Sequence, residues 1–271
     1  MINVAIYKVD CTIQIELYLN YVFLSCCPTL FMYIFYHTNL NSSSVVLEEE
    51  ESKHCVKVLR MREHDLVYLA DGKGTQAKGV ITDANPKKCE IQITERIAHP
   101  LPFNYRLHMY VAPTKNTDRM EWFLEKAVEC GINAVTFIIT ENSERRHLNL
   151  DRMHKIILSA MKQSKQWHLP VLNPVISWNE MLRTQFGSGS GFIAWCNAPN
   201  TNHLASLIDC AAKKGISEFH ILIGPEGDFT DKEVEQAKEN GLMPVSLGPT
   251  ILRTETAALF GVMSVKALLN K

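Results

Sequence analysis

The sequence predicts an α/β protein in two parts: a small β-barrel, then a larger domain on a mostly parallel sheet. Three observations carry that prediction. The earlier part holds short strands separated by turn signals at regular intervals. The later part alternates continuous apolar strands with amphipathic helices, the pattern of a sheet covered on both faces. The 271 residues, 46% hydrophobic and 21% charged, are enough for one large or two modest globular domains.

The elements follow in order. "IELYLNYVFLSCCPTLFMYIF" (15–35) is apolar, but Glu16, Asn20 and Pro28 interrupt it. It offers no clean run of about 20 apolar residues for a membrane span, and it lacks a basic flank or a cleavage site. "YIFY" and "VVL" read as strands joined by the polar "HTNLNSSS". "EEEESKHCVKVLR" (48–60) predicts a helix, with His54 or Cys55 spaced four residues from Val58 and Leu59. "LVYLA", "TQAKGVI" and "CEIQITERI" are strands, turning at "DGKG" and "NPKK". Asp71-Gly72 between strands is a hairpin signal. "AHPLPFN" (98–104), with two prolines, is the candidate linker.

After the linker the period changes. "LHMYVAP" and "AVTFIIT" are strands. "TDRMEWFLEKAVECG" is a helix burying Met120, Phe123, Leu124, Ala127 and Val128, with Gly131 past its end. "LDRMHKIILSAMKQS" follows, with Met153, Ile156, Ile157, Ala160 and Met161 as its stripe. "VLNPVI", "NEMLRTQF", "GFIAWC", "LASLIDCAAKKG" and "FHILIG" continue the alternation. "GSGSG" (187–191) reads as a flexible loop.

In open α/β sheets ligands collect beyond the carboxyl ends of strands. "HILIGPEGDFTDKEVEQAKENG" leads from a strand through Gly224 and Gly227 into a helix, marked by a Thr230–Glu233 capping box. Neither a dinucleotide fingerprint nor a P-loop is present, and Glu226 and Asp228 would repel phosphate. The loop suits a ligand that lacks phosphate or carries positive charge. "PVSLG", the loop "PTIL" and the helix "TETAALFGVMSVKALL", with Ala258, Val262, Val265 and Leu269 inward, come next. Thr254 is a natural N-cap, and Glu255 suits the helix dipole. Both could be capping groups only. Arg253 opposes that dipole and requires a partner, either Glu255 or an external anion.

The net charge of −1 means that nucleic-acid binding would need a local patch. Eight scattered cysteines, with no C-x-x-C pair and no zinc spacing, favour a reducing cytoplasm and no metal. Cys130, Cys196 and Cys210 read as small buried hydrophobes.

"IGPEGDFTDKE" followed by "VSLGPTILRTETAAL" resembles the ribosomal RNA small subunit methyltransferase E family of the SPOUT superfamily. "HCVKVLRMREHD" with "DGKG" resembles that family's PUA-like barrel. "PTKNTDRMEWFLEKAVECG" resembles its first catalytic-domain helix, with Lys115, Lys126, Glu129 and Gly131 at matching places; "ENSERR" and "MKQS" also fit. Two positions depart from the family pattern, which often has glycine at Asp228 and a basic residue at Thr250.

The resemblance covers about residues 32–270. It implies a PUA-like domain at 32–100 and a SPOUT domain with a trefoil knot at 101–271. Residues 1–31 remain open to three readings: an atypical anchor, an added element, or translation upstream of a start at Met32, which the resemblance favours. The implied activity is S-adenosylmethionine-dependent methylation of uridine N3 in 16S rRNA of the 30S subunit, by a cytoplasmic homodimer without a membrane role. Ribose 2′-O methylation and a non-catalytic RNA-binding assembly factor are the alternatives. The cofactor would be held by Ala194 and Trp195, by Ile223, Gly224 and Gly227, and by Leu247, Gly248, Ile251 and Leu252. Arg253 would stabilise a developing oxyanion or hold a phosphate, and Glu255 is a candidate base or cap. Lys53, Lys57, Arg60 and Arg62, with Lys115, Arg145 and Arg146, are the expected RNA contacts. The i, i+4, i+7 spacing puts Lys53, Lys57 and Arg60 on one helix face; a solvated face beside four glutamates is the alternative.

Overall fold

The structure, a computed structural model, describes residues 32–184, 186, 189–199 and 201–269. The expectations for residues 1–31 and for positions 187 and 188 of the "GSGSG" loop lie outside the described residues. From Ile34 onward the described residues form one compact unit built on two sheets.

The first sheet holds β1 (Ile34–Tyr36), β2 (Ser44–Val46), β3 (Leu66–Ala70), β4 (Thr75–Asp83) and β5 (Glu90–Ala98), in the order β1-β3-β4-β5-β2. Only β1 and β3 pair in parallel; the other pairings are antiparallel. The β3–β4 turn forms as its residues dictate. Asp71 Oδ1 accepts from the amides of Lys73 and Thr75 at 2.7 and 2.9 Å. Gly72 and Gly74 take φ of 71° and 100°, a region that favours glycine.

The helix expected over 48–60 divides. An α-helical turn, α1 (Glu49–Lys53), gives way to a π-helical turn at His54–Val58. The Leu59 amide donates to the His54 carbonyl at 3.0 Å, one residue wider than an α-helix. Cys55 points inward while Val58 is 65% exposed, against the expectation that Val58 would share the buried face. Arg60 then leaves the helix at φ 56°, so it does not continue the face of Lys53 and Lys57. Ser52 ties this segment down: its buried hydroxyl donates to the Leu47 carbonyl and accepts from the Cys89 amide, both at 3.0 Å.

The second sheet is parallel throughout. It contains β6 (Arg106–Val111), β7 (Ala134–Ile139), β8 (Val171–Leu172), β10 (Ser190–Ala194), β11 (Glu218–Ile223) and β12 (Met243–Val245), in the order β12-β10-β11-β6-β7-β8; β9 (Ile176–Ser177) pairs with β7. The helices are α2 (Thr117–Cys130), α3 (Leu150–Gln163), α4 (Trp178–Leu182), α5 (Leu204–Lys213), α6 (Asp231–Glu239) and α7 (Thr254–Leu269). Alternation along the strands sorts them. Tyr110, Ile193 and Leu222 pack against Trp178 and Met181 of α4 and Val234 and Ala237 of α6. α7 covers the opposite face of β6 and β11, beside α2 and α5. Gly261 of α7 sits at this contact, where a β-carbon would come within 3.3 Å of the Met109 side-chain end.

Most helix ends follow the sequence. Asn116, Asn149 and Thr230 cap α2, α3 and α6, the last through a full capping box, and Gly131 ends α2 at φ 97°. Two expectations fail. Cys196 and Cys210 are exposed and Cys130 half-buried; among the described residues the fully buried thiols are Cys55 and Cys89. Thr254 does not cap α7: the Arg253 carbonyl accepts the first helical bond, from Ala257 at 2.8 Å, so Arg253 itself occupies the cap position. No helix among the described residues is long and apolar enough to cross a membrane.

The two sheets are joined by more than the linker. The Gly74 amide donates to the Trp167 carbonyl at 2.9 Å, and the Leu169 amide to the Gly72 carbonyl at 2.8 Å. His99 stacks on Trp167 with centroids 5.1 Å apart. Glu50 pairs with Lys155 and Glu51 with Lys162, linking α1 to α3.

Candidate active site

Strands β10, β11 and β12 end side by side, and the loops after them wall a cavity of about 480 Å3. This lies within the roughly 300–1,000 Å3 range of small-molecule sites. Ala194, Trp195, Ile223, Gly224, Leu247, Gly248, Ile251 and Leu252 line it, as does Arg253. Gly227 does not. It faces Asn142, whose Nδ2 donates to the Gly227 and Asp228 carbonyls at 3.0 Å.

Backbone bonds hold the walls. The Trp195 amide donates to the Val245 carbonyl at 3.1 Å, tying the first loop to β12. Asp228 ties it to the second: its carboxylate accepts from the Cys196 amide at 2.9 Å and the Phe229 amide at 2.8 Å. Asp228 adopts φ 58°, which explains why glycine suits this position, and aspartate tolerates it through local hydrogen bonds. Ser246 Oγ accepts from the Gly248 amide at 3.2 Å, and Gly248 sits at φ 124°. Cys196 borders the cavity with its surface open to solvent, and partial burial of its thiol together with the neighbouring Asp228 carboxylate pushes that thiol up to about 11, so it stays protonated at neutral pH.

The cations divide by partner. Arg253 is exposed, and its guanidinium makes no hydrogen bond or ion pair among the described residues. Glu255 is buried, 8% exposed, and faces a different arginine. Its Oε1 lies 3.7 Å from Nε of Arg119, which also lines the cavity. Sequence reasoning missed Arg119, although the dipole argument that singled out Arg253 applies equally to a cation in the first turn of α2. Lys115 sits by the cavity rim, its amide donating to Glu226 Oε1 at 3.0 Å. Arg145 Nε donates to the Lys115 carbonyl at 2.9 Å, and Arg146 is exposed nearby in sequence. In the first sheet's domain, Lys53 pairs with Glu49 at 2.6 Å. Lys57, Arg60 and Arg62 are exposed, and their side-chain cations have no acidic partner among the described residues.

The fold and cavity define a class of α/β protein that holds a small ligand at strand ends and offers cations to an anionic partner. Family models place the chain within that class. Residues 101–266 match the RNA methyltransferase domain, and residues 47–94 match the RNA methyltransferase PUA domain. The chain belongs to the RNA methyltransferase family.

Known proteins agree along most of its length. The Ribosomal RNA small subunit methyltransferase E of Rickettsia conorii is 26% identical over 84% of this chain and 91% of its own. The Bacillus subtilis protein of the same name is 27% identical over 80% and 87%. Among solved structures, a probable rRNA-methyltransferase of Porphyromonas gingivalis superposes with TM-score 0.78 at 34% identity, over 88% of this chain and 99% of that one. The Ribosomal RNA small subunit methyltransferase E of Neisseria gonorrhoeae, bound to S-adenosyl methionine, gives 0.78 at 28% identity, over 88% and 98%.

Proposed function

We propose that this chain is an S-adenosylmethionine-dependent methyltransferase acting on N3 of a uridine in 16S rRNA of the 30S subunit, in the decoding region. The cavity at the three strand ends is the observation that carries this reading. Its apolar Ile223, Leu247 and Leu252, exposed backbone groups and acidic Glu226 fit a phosphate-free sulfonium ligand. Bound there, S-adenosylmethionine would supply an electrophilic methyl group, with its sulfur as the leaving group that keeps the bonding electrons.

The protein's own share is placement and charge. Uracil N3 is a poor nucleophile while protonated. A cation beside the ring favours the anionic form and stabilises the charge on its carbonyl oxygens. Arg253, unpaired at the cavity wall, fills that role, and Glu255 belongs to the same helix start. Residues 32–100 serve as the RNA-binding domain and 101–271 as the methyltransferase domain with its trefoil knot. Lys57, Arg60 and Arg62 meet RNA phosphates together with Lys53, Lys115, Arg145 and Arg146. Glu50 and Glu51 are paired with Lys155 and Lys162 from outside the patch, and Glu49 with Lys53, so Lys57, Arg60 and Arg62 are its uncompensated cations. A cytoplasmic homodimer is the assembly proposed, supported by exposed Trp122 on α2 and Met263 on α7, two helices that pack together.

Nucleoside mass spectrometry of 16S rRNA from a deletion strain and its parent tests the activity. Loss of 3-methyluridine at a single site is the expected result. Loss of a 2′-O-methylated nucleoside instead would move the reaction to the ribose and refute the base-methylation reading.

A further inference from the structure

We infer that Glu255 is a positioning residue and not a general base: it holds Arg119 at the cavity, where Arg119 joins Arg253 in stabilising the anion on the target base. The inference rests on the methyltransferase reading above.

The geometry argues against the simpler roles for Glu255. A general base must come within about 2.6–3.2 Å of the proton it takes, or act through one water. Glu255 is buried and is not part of the cavity wall, whereas Arg119 is. Neither does it cap α7, since no backbone amide among the described residues donates to it. It does not pair with Arg253. Its one charged partner is the Arg119 guanidinium, 3.7 Å away, and its Oε2 is buried with no hydrogen-bond partner. Burying a carboxylate so sparsely paired is costly. What it provides is a fixed anion directly behind an arginine.

Arg119 needs that anchor. It sits in the first turn of α2, where the helix dipole repels a cation. Its guanidinium makes no hydrogen bond among the described residues, so its donors remain available to a ligand. Arg253 reaches the same cavity from the start of α7. When N3 gives its proton to solvent, the negative charge spreads over both flanking carbonyl oxygens. Two guanidiniums on separate helices can each serve one oxygen.

The test uses the full-length protein, radiolabelled S-adenosylmethionine and 30S subunits from the deletion strain. Wild type, Arg119→Ala, Arg119→Lys, Glu255→Gln and the Arg119→Ala/Glu255→Gln double variant are compared. Measured quantities are kcat, KM for 30S, the pH–rate profile and cofactor Kd by calorimetry. Arg119→Ala should lower kcat about 100-fold or more, the scale of an oxyanion donor, with KM and cofactor Kd little changed. Arg119→Lys should recover part of the loss. Glu255→Gln should lower kcat less, keep the shape of the pH profile, and add nothing in the double variant.

A pH limb that disappears in Glu255→Gln makes it the base and overturns the inference. So does a change confined to KM, which marks a phosphate contact, or a loss of cofactor binding in Arg119→Ala. Additive losses in the double variant overturn the coupling of the two residues. A wild type that transfers no methyl group refutes the underlying reading, whereas an active wild type with an unaffected Arg119→Ala refutes this inference alone.

Discussion

Arg253 stands at the cap position just before α7, where the helix's own N–H groups already supply positive potential. Its alanine variant should lose about 100- to 1,000-fold in methylation rate, while cofactor affinity by calorimetry stays near wild type; normal methylation of 30S would remove it from the chemistry. Charge placement made this residue legible in the sequence, and the same argument extends to Arg119. The link between Arg119 and Glu255 was not legible, because it joins two helices brought together only by the sheet between them. Away from the cavity, burial holds the His108 imidazole down to about 4, with neighbouring His220 adding to the effect. Unfolded, His108 would titrate near 6.5, so the unfolded chain takes up protons first as pH falls. Stability is therefore full above about pH 6.5 and declines toward pH 4, by up to about 3 kcal/mol from this residue. Urea unfolding at pH 7 and pH 4.5 measures the difference; equal stabilities would contradict it.

At the level of elements, periodicity and turn chemistry located nearly every strand and helix, because apolar spacing and turn residues are local signals. They could not show the π-helical turn at His54–Val58. That turn is set by what Cys55 and Ser52 meet in the sheet, and no spacing rule encodes those partners. Ser52 is the point to test. Ser52→Ala strands the buried Cys89 amide without its acceptor. The cost should be about 1–3 kcal/mol, read as a lower urea midpoint with an unchanged slope. An unaltered midpoint would mean that the segment is held elsewhere. The same tether presents Lys57, Arg60 and Arg62 outward, so the variant should also weaken RNA binding at fixed salt.

Across the whole molecule, strand type was readable but strand order was not. β10 pairs with β11, the next strand, but also with β12 beyond it, and this skipped pairing brings the three strand ends together around the cavity. The close fit between the two sheets was equally hidden, for "DGKG" announces a turn without naming its neighbour. Gly74 is where that fit can be broken. A β-carbon there would lie 2.6 Å from the His168 ring and 2.7 Å from the His99 carbonyl, at a φ of 100°. Gly74→Val should replace one calorimetric unfolding transition with two, or lower it by several degrees; an unchanged single transition would show the joint to be dispensable. The docked hairpin also gives the molecule a fixed gauge. With backbone bonds on both sides of the turn, the basic segment and the cavity stand at a set separation, like the jaws of a locked calliper. Such an instrument does not bend to its object. With RNA contacting both the basic segment and the cavity, as proposed, the protein would accept RNA whose two points of contact are already that far apart, and so read a folded shape before a base.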